Sequence, residues 1–270
     1  MKKIKLFPIL LATILTGCTS APKTAEAPLE TDKGVPAAAT TGIEGWGFRR
    51  MEGARPEFTE KQIKDMDTYD CIYMGKEDEG IYLTFDEGYE AGYTASILDT
   101  LKEKGVPAAF FITGDYLDKE PELVKRMVEE GHIVGNHTEN HPSLPTVADD
   151  AKARAELTVL SDRFRELTGQ EMKYFRAPKG EYNTRTLALV KDMGYRDVFW
   201  SFAYQDWEQG KTRGKAYAAR KVTEGLHGGI VILLHAVSSD NAEALGEIID
   251  NARAKGLVFR TLDEYVPEGT

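Results

Sequence analysis

Residues able to perform acid–base and metal chemistry occur in five short segments of this chain. They are Thr84–Gly88, His137–His141, Arg176–Pro178, Asp206–Trp207 and Leu233–His235. Each segment lies at or just beyond the carboxyl end of a predicted strand. Such ends meet on one face of an α/β protein, where active sites lie. We therefore expect one pocket that hydrolyses its substrate with a metal, an acid and a base.

The histidine pair suggests the metal. His137 and His141 are four residues apart and can face one cation if the stretch forms a helical turn or a tight loop. Zinc accepts imidazole nitrogens at about 2.0–2.1 Å, but two histidines are too few for a tight catalytic site. Glu87 and Asp86 are both candidates for a third ligand, and water would complete the set. The sequence therefore predicts a divalent metal, with zinc the first choice.

A second acid–histidine pair suggests a general acid. Asp206 and His235 lie on consecutive predicted strands, so their side chains can meet. A carboxylate bonded to an imidazole fixes its tautomer and raises its pKa. The alternative for His235 is a hydrogen-bonded core histidine. Arg176 offers a planar fork to a carboxylate, either Asp86 or a surface acid.

Aromatic residues could stack on a sugar. Trp46, Trp207, Tyr182 and Tyr204 are the candidates. Aromatic side chains are more often part of the core, and only Trp207 is placed near the chemistry, by its neighbour Asp206. The sequence thus leaves the other three open between a stacking wall and the core.

The hydrophobic pattern predicts a parallel βα array from residue 81 onward. Apolar, β-rich runs alternate with amphipathic runs, several of which end at glycine. The predicted strands are Ile81–Phe85, Ala108–Ile112, Ile133–His137, Tyr174–Ala177, Val198–Phe202, Ile230–His235 and Leu257–Thr261. Seven such strands favour a closed or nearly closed barrel, with an open doubly wound sheet as the alternative. Residues 44–80 are expected to form an N-terminal extension packed against the barrel.

The first residues predict export and a lipid anchor. Three lysines precede the apolar run 6–15, which is too short for a permanent membrane span. Leu-Thr-Gly-Cys then ends at Cys18 and resembles a bacterial lipobox. We expect residues 1–17 to be a lipoprotein signal peptide, Cys18 to be lipidated, and residues 18–43 to be a flexible tether. The alternative is an ordinary signal peptide with an incidental cysteine.

The charge excludes one class of partner. The formal net charge is −10, whereas a nucleic-acid binder would show a basic patch or stripe. With Cys18 lipidated, Cys71 has no disulfide partner and is expected to be a small buried side chain.

Taken in order, the five segments resemble the motifs of the polysaccharide deacetylases, whose catalytic domain is the NodB homology domain. The chain is most similar to the sporulation branch that deacetylates N-acetylmuramic acid on the way to muramic δ-lactam. Trp46–Phe48 and Leu233–Leu245 are among the stretches that carry this likeness. The resemblance implies a deformed (β/α)7 barrel over residues 81–265 and metal-dependent hydrolysis of an amide.

The resemblance also implies roles for single residues. Asp86 would be the base that activates water, oriented by Arg176, and His235 would be the acid, tuned by Asp206. His137 and His141 would hold the metal. A backbone N–H near Lys179 would help hold the oxyanion. The residues expected to contact substrate are Trp207, Lys179 and Tyr182.

One position departs from the family pattern. Most of the family has a second aspartate where this chain has Glu87, and the muramic branch similarly lacks it. Glutamate is one methylene longer, so it either reaches the metal in altered geometry or misses it.

Three functions follow as hypotheses. The first is a peptidoglycan N-acetylmuramic acid deacetylase, anchored to the outer face of the bacterial cell membrane and acting as a monomer on glycan strands. The second is a deacetylase of N-acetylglucosamine units or another acetylated glycan. The third, from another class, is a lipid-anchored metal- or solute-binding protein, which would show two lobes and no acid–histidine pair. A catalytically dead glycan-binding relative is disfavoured because Asp86 and His235 are both present.

Overall fold

The structure is a computed structural model that describes residues 42–51, 54–78, 80–208 and 210–268. Within these ranges the strands are β1 Glu44–Gly45, β2 Gly80–Glu87, β3 Ala109–Ile112, β4 Ile133–Asn136, β5 Tyr174–Phe175, β6 Glu181–Tyr182, β7 Arg196–Asp197, β8 Val231–His235 and β9 Val258–Phe259. The α-helices are α1 Glu60–Thr68, α2 Thr94–Lys104, α3 Gly114–Lys119, α4 Pro121–Glu129, α5 Asp150–Thr168, α6 Thr184–Asp192, α7 Lys215–Gly225 and α8 Ser239–Ala254.

The main sheet is parallel and curls on itself. Its strand order is β7-β5-β4-β3-β2-β8, with β9 pairing the start of β2. Beyond β7 the chain reaches β8, where the backbone N–H of Ser201 donates to Val231 at 3.0 Å and that of Leu233 donates to Phe202 at 2.8 Å. The gap between β7 and β8, the first and last strands in this order, is thereby closed, and we call this junction the seam of the barrel. The predicted deformed (β/α)7 barrel is confirmed, in place of an open sheet.

Three predicted strands correspond to strands of only two residues, among them Tyr174–Ala177, which is Tyr174–Phe175 in the structure. In place of Val198–Phe202, the regular strand is β7, and Val198 and Phe202 form only isolated bridges. Val198 bridges Ile72 of the N-terminal segment, whereas Phe202 bridges β8. The chain changes partners within five residues, so it cannot keep one regular ladder. The predicted Leu257–Thr261 is likewise reduced to Val258–Phe259.

The helices bury one face against the sheet and stop where the sequence indicates. Ile97, Leu98 and Leu101 of α2 are fully buried, and α2 ends at Gly105, whose φ of 58° suits a residue without a Cβ. Between the layers Phe85 and Phe110 stack with ring centroids 5.1 Å apart. This packing fixes β2 and β3, whose carboxyl ends carry the site.

The segment ahead of the main sheet contacts the barrel at several points. The backbone N–H of Trp46 donates to Gly180 at 2.7 Å, and its indole N–H donates to the Trp200 carbonyl at 2.8 Å. The short strand β1 pairs antiparallel with β6. These contacts bring Trp46 to the rim of the main cavity.

Part of the N-terminal prediction falls outside the described residues. The signal peptide 1–17, Cys18 and nearly all of the tether 18–43 lie there, so they remain predictions. Within the described ranges, no helix combines the length and apolarity needed to cross a membrane. Cys71 is buried and free.

Candidate active site

The carboxyl ends of β2 and β8 place an acid and a histidine side by side. Asp86 is paired in register with His235 across these two strands. Residues paired in parallel strands project to the same face of the sheet. Both side chains line one cavity of about 1120 Å³.

Arg176 holds Asp86 from below the cavity floor. Its guanidinium is fully buried and donates to Asp86 Oδ1 at 2.7 Å, to Thr84 Oγ1 at 2.8 Å and to the Val198 carbonyl at 2.8 Å. It also lies 4.1 Å from the centre of the Phe111 ring, a cation–π contact. A planar fork with three fixed acceptors leaves the arginine no other orientation.

This ion pair sets the protonation of Asp86. Burial alone would raise its pKa, but the charge of Arg176, with smaller contributions from His137 and His235, holds the pKa of Asp86 below its ordinary value. Asp86 is therefore a carboxylate at neutral pH, as a general base must be.

The tautomer of His137 is fixed by the backbone. Its Nδ1 lies 2.8 Å from the Arg176 carbonyl, which can only accept, so Nδ1 carries the proton and Nε2 keeps a lone pair. Burial lowers the pKa of His137 to about 4. The ring is consequently neutral, with Nε2 3.2 Å from His141 Nε2 and 3.6 Å from Asp86 Oδ2.

Unusual backbone conformations hold this region. In the described part of the chain four non-glycine residues have positive φ, and three of them are at the site: Thr138 at 69°, His141 at 55° and Lys179 at 60°. The turn is fixed by hydrogen bonds, since Asn136 Oδ1 accepts from Thr138 N–H and Thr138 Oγ1 accepts from His141 N–H, both at 2.9 Å. Such conformations persist only where the surroundings enforce them. The tight loop expected between the two histidines is therefore present.

The two imidazoles fit one cation. Two nitrogens bound tetrahedrally at about 2.0–2.1 Å lie about 3.3–3.4 Å apart, close to the 3.2 Å between the two Nε2 atoms. Among the described residues no group of three His, Cys, Asp or Glu has the arrangement of a complete metal site. His137 and His141 would thus supply two ligands to such a cation.

Glu87 does not join this pair, which corrects its candidacy as the third ligand. Its side chain is fully buried, and its nearest hydrogen-bond partner is Thr94 Oγ1 of α2 at 3.5 Å. Successive side chains of a strand point to opposite faces, so Glu87 turns into the helix layer when Asp86 faces the cavity. Burial and the nearby carboxylates Glu90 and Asp86 raise the pKa of Glu87 well above its usual range.

The second acid–histidine pair meets as predicted by the strand order. Asp206 Oδ1 lies 2.7 Å from His235 Nδ1, and Asp206 Oδ2 accepts from the His235 backbone N–H at 2.9 Å. Burial disfavours the imidazolium, but Asp206 and, more weakly, Asp86 outweigh it, so the pKa of His235 is raised. His235 Nε2 is thus the proton donor of the pair.

A residue outside the predicted set completes this network. Asn241, in the first turn of α8, donates to Asp206 Oδ2 at 2.6 Å and accepts from the Tyr204 hydroxyl. Tyr204 is thereby a buried hydrogen-bonding residue. No spacing rule links an asparagine on a helix to an acid 35 positions earlier, so no sequence signal identifies Asn241.

The three residues expected to contact substrate have different surroundings. Trp207 is 49% exposed and lies 5.5 Å from the His235 ring, and Lys179 is exposed at the cavity wall. Tyr182 is only 1% exposed and packs on Phe199. The prediction that Tyr182 contacts substrate is therefore wrong, because its pairing in β6 turns the ring into the core.

Comparison with known proteins decides the family. The polysaccharide deacetylase family model matches residues 74–198. The peptidoglycan-N-acetylmuramic acid deacetylase PdaA of Bacillus subtilis is 40% identical over 83% of this chain and 86% of its own length. The chain belongs to the polysaccharide deacetylase family. A peptidoglycan-N-acetylglucosamine deacetylase of Bacillus cereus is 34% identical over 67% of this chain and 66% of its own length.

The solved structures agree with this family membership. The structure of Bacillus subtilis PdaA, described as a family 4 carbohydrate esterase, superposes with a TM-score of 0.81 at 38% identity, covering 84% of this chain and 97% of that one. The family predicted from the motifs is confirmed. Membership in this deacetylase family argues against the metal- or solute-binding alternative.

Proposed function

We propose that this polysaccharide deacetylase removes the N-acetyl group from N-acetylmuramic acid in peptidoglycan glycan strands, a step towards muramic δ-lactam. The observation that carries the proposal is that one cavity holds two titratable groups whose pKa values are shifted in opposite directions. Asp86 has a lowered pKa beside Arg176, whereas His235 has a raised pKa beside Asp206. Groups whose surroundings push their pKa values apart are the expected base and acid of one reaction.

The chain's own residues account for the proton transfers. Asp86 takes a proton from water, and the hydroxide adds to the acetyl carbon. The C–N bond then breaks, and His235 gives its proton to the leaving amine, so that acetate and a free amino sugar result. Arg176 keeps Asp86 ionised and oriented, and Asp206 holds His235 protonated.

Two further elements support the same reaction. A divalent cation held by His137 and His141 would polarise the amide carbonyl and lower the pKa of a bound water. The backbone N–H of Lys179, at the cavity wall, is our candidate for holding the developing oxyanion. Trp207 would offer its exposed face to a sugar ring.

We propose N-acetylmuramic acid rather than N-acetylglucosamine as the substrate because of the similarity to known relatives. PdaA, named for N-acetylmuramic acid, is the more similar to this chain at 40% identity, whereas the Bacillus cereus enzyme, named for N-acetylglucosamine, is 34% identical. Deacetylation of glucosamine units is the second candidate function.

The test is to incubate the purified protein with glycan strands, with and without stem peptides, and to locate acetyl loss by tandem mass spectrometry. We expect loss from muramic acid, and none with the Asp86→Asn variant. Loss confined to glucosamine would replace the substrate assignment. No loss from any strand, with zinc or another divalent metal added, would refute the enzyme proposal.

We further propose that Cys18 is lipidated, that residues 1–17 are removed, and that the enzyme acts at the outer face of the cell membrane. The basis is the lipobox-like Leu-Thr-Gly-Cys. Cells expressing the chain should incorporate labelled fatty acid into it, and Cys18→Ala should abolish the label. A wild-type chain that takes up no label would refute the anchor.

A further inference from the structure

The charges that line the cavity are not balanced. Three acids on one wall, Asp115, Asp118 and Glu139, are each ion-paired with Lys119 or Arg163. On the floor, the charge of Asp86 is offset by Arg176. The cavity lining also includes Arg50 and Lys179.

Among the described residues, these two cations have no carboxylate partner. Within the described ranges, neither Arg50 nor Lys179 forms an ion pair with a carboxylate. The chain as a whole carries a formal charge of −10, so carboxylates are abundant. Two uncompensated cations at the wall of the reacting cavity therefore suggest an anionic ligand.

The surrounding backbone places the two residues on one wall. Trp46, four residues before Arg50, donates its backbone N–H to Gly180, the neighbour of Lys179. The guanidinium of Arg50 donates to the Ala203 carbonyl and lies 5.5 Å from the centre of the Phe202 ring. This hydrogen bond uses one of the five guanidinium N–H groups and leaves others for a ligand.

The wall also borders the reacting centre. Lys179 lines the same cavity as His141, Asp86 and His235. The positive φ of Lys179, at 60°, fixes its backbone in a conformation that lysine rarely adopts. An anion bound here would lie beside the group that is hydrolysed.

We propose that Arg50 and Lys179 form a carboxylate-binding wall that recognises the free lactyl carboxylate of the reacting muramic acid. This inference rests on the proposed function. The lactyl group is what distinguishes muramic acid from glucosamine. Its carboxylate, when free, supplies the negative charge that the wall lacks. Bidentate pairing with the Arg50 fork would add orientation to charge.

The test compares two forms of the same strand. Glycan strands freed of stem peptides are used with the lactyl carboxylate intact or converted to its methylamide, which removes the charge and adds one methyl group. For the wild-type protein we expect kcat/KM to be at least about tenfold higher on the free acid, mainly through KM, as loss of a charge-assisted contact implies.

Variants then locate the effect. Lys179→Met and Arg50→Met remove charge, and each should lower the ratio of the two kcat/KM values several-fold, whereas Lys179→Arg should retain it. Lys152→Met, which removes an exposed cation on α5 that does not line the cavity, is the matched control and should keep the wild-type ratio. Thermal unfolding of each variant checks the fold.

The outcomes separate this inference from the proposed function. Equal rates of acetyl loss from the acid and the methylamide would overturn the carboxylate-binding wall and leave the muramic deacetylase intact. The carboxylate-binding wall would also be overturned if the variants lost the same factor in kcat/KM on both substrates. Faster turnover of strands that keep their stem peptides would overturn it as well. No acetyl loss from muramic acid in either form would instead refute the proposed function.

Discussion

Asp86 is the residue whose chemistry is hardest to replace. Its carboxylate is held by Arg176 at 2.7 Å and is oriented into the cavity. Asp86→Asn keeps the shape and removes the base. We expect kcat to fall by about 10²–10⁴, the usual contribution of a general base, in an acetate-release assay.

The control for that variant is its stability. Asparagine retains one oxygen for Arg176 but leaves the buried guanidinium charge unpaired, so the midpoint of thermal unfolding should fall, and kcat is compared at temperatures where both proteins remain folded. If Asp86→Asn retained more than a tenth of kcat, Asp86 would not be the base.

Asp206 sets the alkaline limit of activity. The general acid must be protonated, so activity falls as pH rises through the pKa of His235. Asp206 raises that pKa by its charge and its hydrogen bond. In Asp206→Asn the pKa of His235 falls, and the alkaline limb of the kcat/KM profile should move to lower pH.

The comparison variant is Asn241→Ala, which removes a bond to the Asp206 carboxylate but leaves its charge. It should lower activity by loosening the pair, with a smaller shift of the alkaline limb. An unchanged limb in Asp206→Asn would contradict the assignment of His235 as the acid.

Among the elements, strand β4 supports the site through close packing: its Gly135 leaves room for the ring of Phe111. A Cβ at Gly135 would lie 2.5 Å from the ring of Phe111, the ring that packs on the Arg176 guanidinium. We expect Gly135→Ala to destabilise the fold by about 1–3 kcal/mol through overpacking. Displacing Phe111 should also lower kcat, as urea unfolding and activity assays on one preparation would show.

Helix α8 provides a control substitution for Gly135→Ala. Gly246 lies in its interior, where a Cβ would meet nothing nearer than 3.8 Å. Gly246→Ala should stabilise the protein by about 0.5–1 kcal/mol, because alanine loses less backbone entropy in a helix. Loss of stability in both variants would indicate that the close contact at Gly135 is not the cause.

At the scale of the whole molecule, two buried carboxyls make stability depend on pH. Burial raises the pKa of Asp197 to about 8 and that of Glu87 well above its usual value. In both cases the folded state binds a proton more tightly than the unfolded chain. Their contribution is present below the unfolded pKa and is lost as pH rises towards the folded one.

Between about pH 7 and pH 8 the free energy of unfolding should therefore decline, by up to about 1.4 kcal/mol per pH unit for each such group. At lower pH, His137 acts in the opposite direction, because burial lowers its pKa to about 4. Asp86, with its lowered pKa, acts at lower pH and does not offset this. Asp197→Asn should flatten the decline, as measured by urea unfolding at several pH values. A decline of equal slope in that variant would refute the role of Asp197.

The sequence was sufficient to predict the barrel and most of the site. The apolar runs predict the strands, and the polar residues at their carboxyl ends predict the site. Apolar runs followed by Asp86, His137, Arg176 or His235 place those residues on one face whatever the details. The orientation of single side chains did not follow. The sequence left it open whether Glu87 reaches the metal, because that depends on the side chain after Asp86 turning to the other face of β2.

Contacts between segments remote in the chain could not be predicted from the sequence either. The burial of Tyr182 depends on pairing between β1 and β6, and the link from Asn241 to Asp206 joins a helix turn to a loop. The position of Arg50 at the cavity depends on how the N-terminal segment folds back. No local pattern encodes these three relations, since each is decided by packing between remote segments.

The hydrogen bond from Arg176 to the Val198 carbonyl has a consequence for how activity is acquired. That carbonyl belongs to the stretch that runs on to the seam of the barrel, and the same arginine governs both the acidity of Asp86 and, through its own carbonyl, the tautomer of His137. A chain with formed helices but an open seam would lack base and metal ligand at once. We therefore expect turnover to be a stricter gauge of complete refolding than helix content, and a partly folded chain to be inactive towards glycan strands.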